Sequence, residues 1–196
     1  MRETDVLVQP ILVRKTGLSH EEAVWRAATE SVRILDTDSG VTAERLAAWR
    51  SRGMRKNVRR ASATALAGVV EAGEHTWYGD GVVLAGPVLT YGEYPDSLNK
   101  MQVSGTEFER LGVSFVSDSD IYIRVLDTLS TGKAAAAAAH AAWAFAAESF
   151  RDGVSVTFCD AGELAVAEQE GGKGIWDAGH TEVSSGTLTA VAVKLM

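Results

Sequence analysis

The stretch from Ser130 to His140 constrains the fold more than any other part of the chain, because it reads Ser-Thr-Gly-Lys, then six alanines, then a histidine. An apolar run from Ile121 to Leu126, rich in β-branched residues, precedes it. The alanines strongly favour helix, and a serine or threonine ahead of them is a typical N-cap. The sequence therefore predicts a strand, a short polar turn and a helix capped by Ser130 or Thr131.

Lys133 falls in the first turn of this predicted helix. A cation there faces the positive end of the helix dipole, which is mildly unfavourable. The simplest explanation is an anion, held by the ammonium together with the free N–H groups of the helix start. A P-loop is excluded, because Asp127 stands where that motif has glycine and Ala134 where it has serine or threonine.

A second motif lies near the C-terminus. It reads Asp177-Ala178-Gly179-His180-Thr181, then Ser185-Gly186-Thr187-Leu188-Thr189, and an apolar strand follows from Ala190 to Val193. Together with Gly132, Lys133, Ala135, Ala136, His140 and Ala141, in this order, the motif resembles the type II peptidyl-tRNA hydrolases. The resemblance covers roughly residues 120–196, and Ala137 stands where that family has glutamine.

The resemblance implies an α/β fold, with a mixed β-sheet flanked by helices. It also implies hydrolysis of the ester of peptidyl-tRNA or N-blocked aminoacyl-tRNA by direct attack of water, without a cofactor. Lys133 would hold the phosphate or the oxyanion, and Asp177 would orient or deprotonate the water. Thr181 and Thr189 would add hydroxyl hydrogen bonds. His140 lies two turns after Lys133 on the same helical face, so it is either a further catalytic candidate or a packed histidine.

Two other functions stay open at this stage. Residues 114–196 hold five basic against eleven acidic residues, a poor balance for a domain that meets phosphates alone. Ala137 also cannot make the contact that the family glutamine makes. The chain could therefore be a tRNA-binding protein that has lost turnover, or a transferase that passes the acyl group from aminoacyl-tRNA to an amine.

A basic island runs from Arg45 to Arg60 without an acidic residue, in a chain of net charge −7. The surrounding residues 41–72 are predicted to be mostly helical. At helical spacing Arg52, Arg55, Lys56 and Arg59 share one face, which either contacts nucleic-acid phosphates or is simply solvated.

The N-terminal half, residues 1–113, reads as an α/β unit of its own, beside the peptidyl-tRNA hydrolase-like unit of residues 114–196. It begins with a strand from Val6 to Val13, in which Pro10 suggests an edge position or a bend. Ser19 and Glu22 then form a capping box for a helix. One interpretation is a degenerate copy of the second half, so that the chain forms an internal pseudo-dimer or a homodimer; the other is an unrelated α/β extension.

Composition bounds the remaining possibilities. Cys159 is the only cysteine, which excludes an internal disulfide, and its place in an alternating strand pattern predicts a packed or surface thiol. The four histidines show no metal-ligand spacing, so no metal is expected. No apolar run reaches membrane-spanning length and no signal peptide is evident, so the expected location is the cytoplasm.

Overall fold

The computed structural model describes residues 5–35, 41–103, 105–119, 121–145, 153–177 and 183–194. The helices are α1 (His20–Val32), α2 (Ala43–Ser51), α3 (Ala63–Glu71), α4 (Asp96–Asn99), α5 (Thr131–Ala142) and α6 (Ala161–Gln169), with short 3₁₀ turns at Arg33–Leu35 and Tyr91–Glu93. The strands are β1 (Leu7–Arg14), β2 (Lys56–Ala61), β3 (Tyr78–Gly79), β4 (Val83–Ala85), β5 (Leu89–Thr90), β6 (Ile121–Leu126), β7 (Ser155–Cys159), β8 (Lys173–Trp176) and β9 (Leu188–Lys194). The predicted α/β class, with mixed sheets flanked by helices, is confirmed.

The strands form two sheets, one on either side of a linker of residues 105–119. The sheet of the first unit has the order β2-β1-β4-β3, with β5 also paired to β1. The sheet of the second unit has the order β7-β6-β9-β8. In each sheet the first strand along the chain is parallel to the second and antiparallel to the fourth. Strand order and strand direction are therefore the same in both units.

The connection that follows the second strand also corresponds in the two units. β2 is followed by the single residue Ser62 and the nine-residue helix α3, and β7 by the single residue Asp160 and the nine-residue helix α6. Each of these two residues is an N-cap whose side chain accepts the hydrogen bond of an N–H three residues on. Asp160 also forms a full capping box with Glu163, whose carboxylate accepts from the Asp160 N–H.

The two units join through α1 and α5, which pack side by side and run in the same direction. At their starts His20 Nδ1 lies 3.0 Å from Thr131 Oγ1, and at their ends Trp143 Nε1 donates to Ser31 Oγ at 2.8 Å. The alanines of both helices are buried almost throughout, because small side chains allow close approach of the two backbones. One apolar core consequently includes residues of both units.

Of the two interpretations of Pro10, an edge position or a bend, the edge position is wrong, since β1 lies inside its sheet between β2 and β4. β1 pairs with β5 over Leu7–Val8 and with β4 only over Ile11–Val13, so Pro10 falls in the gap between these two partners. On that side Gly86 faces Pro10, and its N–H donates to the Pro10 carbonyl at 2.9 Å. This contact uses only the carbonyl of Pro10, so a residue without an N–H is tolerated there.

The prediction of a mostly helical segment over residues 41–72 is also wrong, because β2 interrupts it. Gly53 has a φ of 86° and Met54 a φ of 47°, and this left-handed pair ends α2. The chain then enters β2, where Val58 and Ala61 are buried in two different apolar clusters. None of the described helices is both long and apolar enough to cross a lipid bilayer.

Candidate functional site

Lys133, Asp177 and Thr189 belong to the same end of the second sheet. β9 is antiparallel to β6, so its first residues lie beside the last residues of β6, with Val125 opposite Ala190. β8 ends next to the same place, with Trp176 opposite Leu188. The turn after β6 leads into α5 and Lys133, while Asp177 directly follows β8. Thr181, the fourth predicted catalytic residue, lies outside the described residues.

Lys133 is the third residue of α5 and is half-buried. Two N–H groups of the same helix start already have partners in the linker: Thr131 N–H donates to the Glu107 carboxylate at 3.3 Å and Gly132 N–H to the Thr106 carbonyl at 3.1 Å. The expectation that these N–H groups hold a ligand anion is therefore wrong for both residues. The protein's own Glu107 takes the favourable place at the positive end of the helix.

Asp177 is half-buried, and its backbone is fixed on both sides of the β8–β9 hairpin. Its N–H donates to the Thr187 carbonyl at 2.8 Å, and its carbonyl accepts from the Gly186 N–H at 2.9 Å. The carboxylate thus projects from a backbone position that the hairpin holds in place.

Thr189 occupies an irregularity of the same hairpin. Ile175 pairs with Ala190 and Trp176 with Leu188, which leaves Thr189 as the extra residue of a β-bulge. Its side chain is buried and its hydroxyl donates to the Ile175 carbonyl at 2.9 Å. This hydroxyl therefore ties the end of β8 to β9, and its only proton is directed at the backbone.

The first unit has charged residues at the corresponding positions, counted from the N-caps Ser19 and Ser130. Glu22 corresponds to Lys133 by this count. Arg26 corresponds to Ala137 by the same count.

Asp80 follows β3 as Asp177 follows β8, and it completes an ionic cluster with Glu22 and Arg26. Arg26 Nε lies 2.8 Å from Glu22 Oε1, and Arg26 Nη1 also pairs with Asp80. In the first unit a guanidinium thus neutralises both carboxylates, whereas the second unit has only the methyl group of Ala137 at that position. The Glu22–Arg26 spacing of four residues was a sequence signal for this pair, but nothing local indicated Asp80.

The basic residues predicted to form one helical stripe do not share a helix face. Arg52 is the C-cap of α2, Arg55 lies in the following loop, and Lys56 and Arg59 belong to β2. Arg59 is only 6% exposed; it donates to the Leu98 carbonyl at 2.6 Å and lies over the Tyr94 ring. These four residues therefore do not form one surface that could contact successive phosphates of a nucleic acid, because β2 places Arg59 inside the first unit.

His140 and Lys56 lie near one another where α5 packs on β2. Lys56 Nζ lies 4.7 Å from the centre of the Trp49 ring and donates to the Met54 carbonyl. Burial, and then the charge of Lys56, lower the pKa of His140 to about 3. The imidazole is consequently neutral at physiological pH, and it has no proton to deliver as a charged general acid.

The sequence did not predict the cavity that lies at the starts of α1 and α5. It has a volume of about 650 Å³, and its lining includes Glu21, Arg110, Asp127, Thr128 and Phe158. His20 lies beside it, 1% exposed, with its ring 5.0 Å from that of Phe158. Burial, and then the charge of Arg110, lower the pKa of His20 below its usual value.

Metal and thiol chemistry find little support in the described part of the chain. No group of three or more His, Cys, Asp or Glu residues is placed there to hold a metal ion. Cys159 is buried, as expected of a packed thiol, and burial raises its pKa to about 11. The thiolate that a cysteine nucleophile requires is therefore disfavoured.

Comparison with protein-family models, with curated proteins and with solved structures finds no match to this chain.

Proposed function

We propose that the chain hydrolyses the ester bond of peptidyl-tRNA or N-blocked aminoacyl-tRNA by direct attack of water. The observation that carries the proposal is the convergence of two distant segments, the start of α5 with Lys133 and the β8–β9 hairpin with Asp177, at one end of the second sheet. These segments hold the residues on which the resemblance to type II peptidyl-tRNA hydrolases depends.

In the proposed reaction, the water oxygen bonds to the ester carbonyl carbon and the carbonyl oxygen becomes an oxyanion. The ammonium of Lys133 stabilises this charge, a contribution of about 10²–10³ in rate for a well-placed donor. The C–O bond to the ribose then breaks, and the ribose oxygen takes up a proton that the water has lost. Asp177 accepts a hydrogen bond from the water and orients it, with little need for full proton abstraction.

Thr189 has a positioning role in this scheme. Its hydroxyl donates to Ile175 O and so fixes the end of β8, from which Asp177 follows. Thr181 would supply the remaining hydroxyl of the family motif.

We also propose that the two units are copies of one ancestral unit, so that the chain is an internal pseudo-dimer. This is supported by the shared strand order, the shared strand directions and the two capped nine-residue helices. The first copy would be inactive, because Arg26 there neutralises the carboxylates at the equivalent positions.

The rival function is a module that binds tRNA without turning it over. One observation favours it: the Thr189 proton is directed at a backbone carbonyl and not at a substrate. A transferase that passes the acyl group to an amine would use the same residues.

The test is release of the free N-blocked amino acid from N-acetyl-aminoacyl-tRNA. Lys133→Ala and Asp177→Asn should each lower kcat/KM by about 100-fold or more. Lys15→Ala and Asp96→Asn make the same changes at exposed positions and serve as matched controls. Turnover that both site variants retain would refute the site. Binding of tRNA without turnover by the wild type would favour the binding module, and turnover only with an added amine would favour the transferase.

A further inference from the structure

The cavity at the starts of α1 and α5 takes no part in the proposed esterase. It lies between the first turn of α1, the linker and the turn that joins β6 to α5. Its lining includes Glu21 from α1, Arg110 and Val113 from the linker, Asp127 and Thr128 from the turn, and Phe158 from β7. A volume of about 650 Å³ is within the range of small-molecule sites.

Glu21 is the residue that points to a ligand. Its side chain is among the most buried charged groups of the described chain, and the whole residue is only 3% exposed. Oε1 accepts hydrogen bonds from the N–H groups of Leu111 at 2.9 Å and Gly112 at 2.8 Å. Oε2 is buried and has no hydrogen-bond partner among the described residues. A buried carboxylate oxygen in this situation needs a donor, since a buried acceptor without one is costly.

The carboxylate is ionised at neutral pH. Burial acts to raise the pKa of Glu21, but hydrogen bonding outweighs burial and holds the pKa below its usual value; the donors are the N–H groups of Glu21 itself, Leu111 and Gly112, and the Ser19 hydroxyl. The missing partner is therefore one that faces a negative charge, and a cationic donor meets that need better than a neutral one.

The other lining groups also favour a cation. Asp127 adds a second carboxylate, and Phe158 offers an aromatic ring to a cation and to an apolar body. Arg110 is the single basic residue of the lining. Its two terminal nitrogens donate to the carbonyls of Asp127 and Leu129, and its guanidinium lies 3.6 Å from the Glu107 carboxylate. Arg110 is thus directed at the protein's own acceptors, and the lining is net acidic.

We propose that this cavity binds a primary amine, with the ammonium on Glu21 Oε2 and a small apolar body against Phe158 and Val113. The proposal does not depend on the esterase: the cavity is built from other residues, and amine binding is measured without tRNA.

The test is titration of the full chain with benzylamine and with its neutral analogue benzyl alcohol, followed by NMR shifts or calorimetry. Benzylamine should bind at least about tenfold more tightly than the alcohol, because it alone brings a charge to Glu21. Glu21→Gln should weaken benzylamine at least about tenfold while leaving the alcohol unchanged. Glu109→Gln makes the same substitution at an exposed linker position and should change neither.

Phe158→Leu leaves the Glu21 carboxylate in place and removes the aromatic ring, so it should weaken the binding of benzylamine by a few-fold. This variant and the comparison of amine with alcohol on the wild type decide the question even if Glu21→Gln fails to fold. Equal affinity for the two compounds would overturn the proposal. So would the absence of saturable benzylamine binding, which would mean that only water occupies the cavity.

Discussion

Replacing Trp143 with phenylalanine tests whether the two units are held together by the polar contact at the ends of α1 and α5. Trp143 is fully buried and meets the Trp49 ring edge-on, with the ring centres 5.0 Å apart. Its Nε1–H donates to Ser31 Oγ at 2.8 Å, and the Ser31 hydroxyl donates to Gln9 Oε1 at 2.6 Å. Phenylalanine keeps an aromatic ring, but it removes this donor and part of the ring volume.

The expected loss of unfolding free energy is about 2–3 kcal/mol. The missing hydrogen bond accounts for about 1 kcal/mol and the smaller ring, with its residual cavity, for about 1–2 kcal/mol. The matched control is Trp176→Phe, because Trp176 is 53% exposed; this change should cost less than about 0.5 kcal/mol.

Urea unfolding followed by far-UV circular dichroism measures both variants. With a slope of about 2–3 kcal/mol per molar urea, Trp143→Phe should lower the midpoint by about 1 M without changing the slope. Equal midpoints for Trp143→Phe and Trp176→Phe would refute the assigned role of the network.

Three further predictions follow from local geometry. Because the pKa of His140 is about 3 in the folded chain against an ordinary value of 6.5, only the unfolded chain takes up this proton between pH 6.5 and 5. The unfolding free energy of the wild type should therefore fall over that interval, in pH-dependent urea unfolding, by about 2 kcal/mol more than that of His140→Gln. Gly79→Ala should lower the unfolding free energy by more than about 3 kcal/mol in the same assay, because the new Cβ would lie 1.9 Å from the Val83 carbonyl oxygen. At Gly81 the Cβ of an alanine would meet no atom within 4 Å, so Gly81→Ala should cost only about 1 kcal/mol. Equal losses for the two variants would contradict this. Thr189→Val should lose about 1–2 kcal/mol through the bond to Ile175 O, and Thr189→Ser should keep most of it; a stable Thr189→Val would argue against that bond.

Features set by short stretches of sequence were predictable. The strand from Ile121 to Leu126, the helix that follows it and the N-cap Ser19 all occur where the sequence predicted them. In each case the controlling interaction spans only a few residues, either a backbone propensity or a side chain that accepts the N–H three positions on.

Features decided by tertiary partners were not predictable. Arg52, Arg55, Lys56 and Arg59 have helical spacing, but the left-handed pair at Gly53 and Met54 separates them into a helix end, a loop and a strand. At the candidate site, the sequence indicated Lys133 and Asp177 as residues of interest. It could not indicate that Glu107, from a linker without regular structure, reaches the start of α5.

The ionic cluster of Glu22, Arg26 and Asp80 illustrates a freedom that a symmetric homodimer lacks. In a homodimer a single gene encodes both subunits, so a substitution that closes one site closes the other as well. In this chain Arg26 and Ala137 lie at corresponding positions of two helices but are encoded by separate codons. Under the proposed common origin of the two units, selection can convert one of these positions into part of a stabilising ion cluster while the other changes independently.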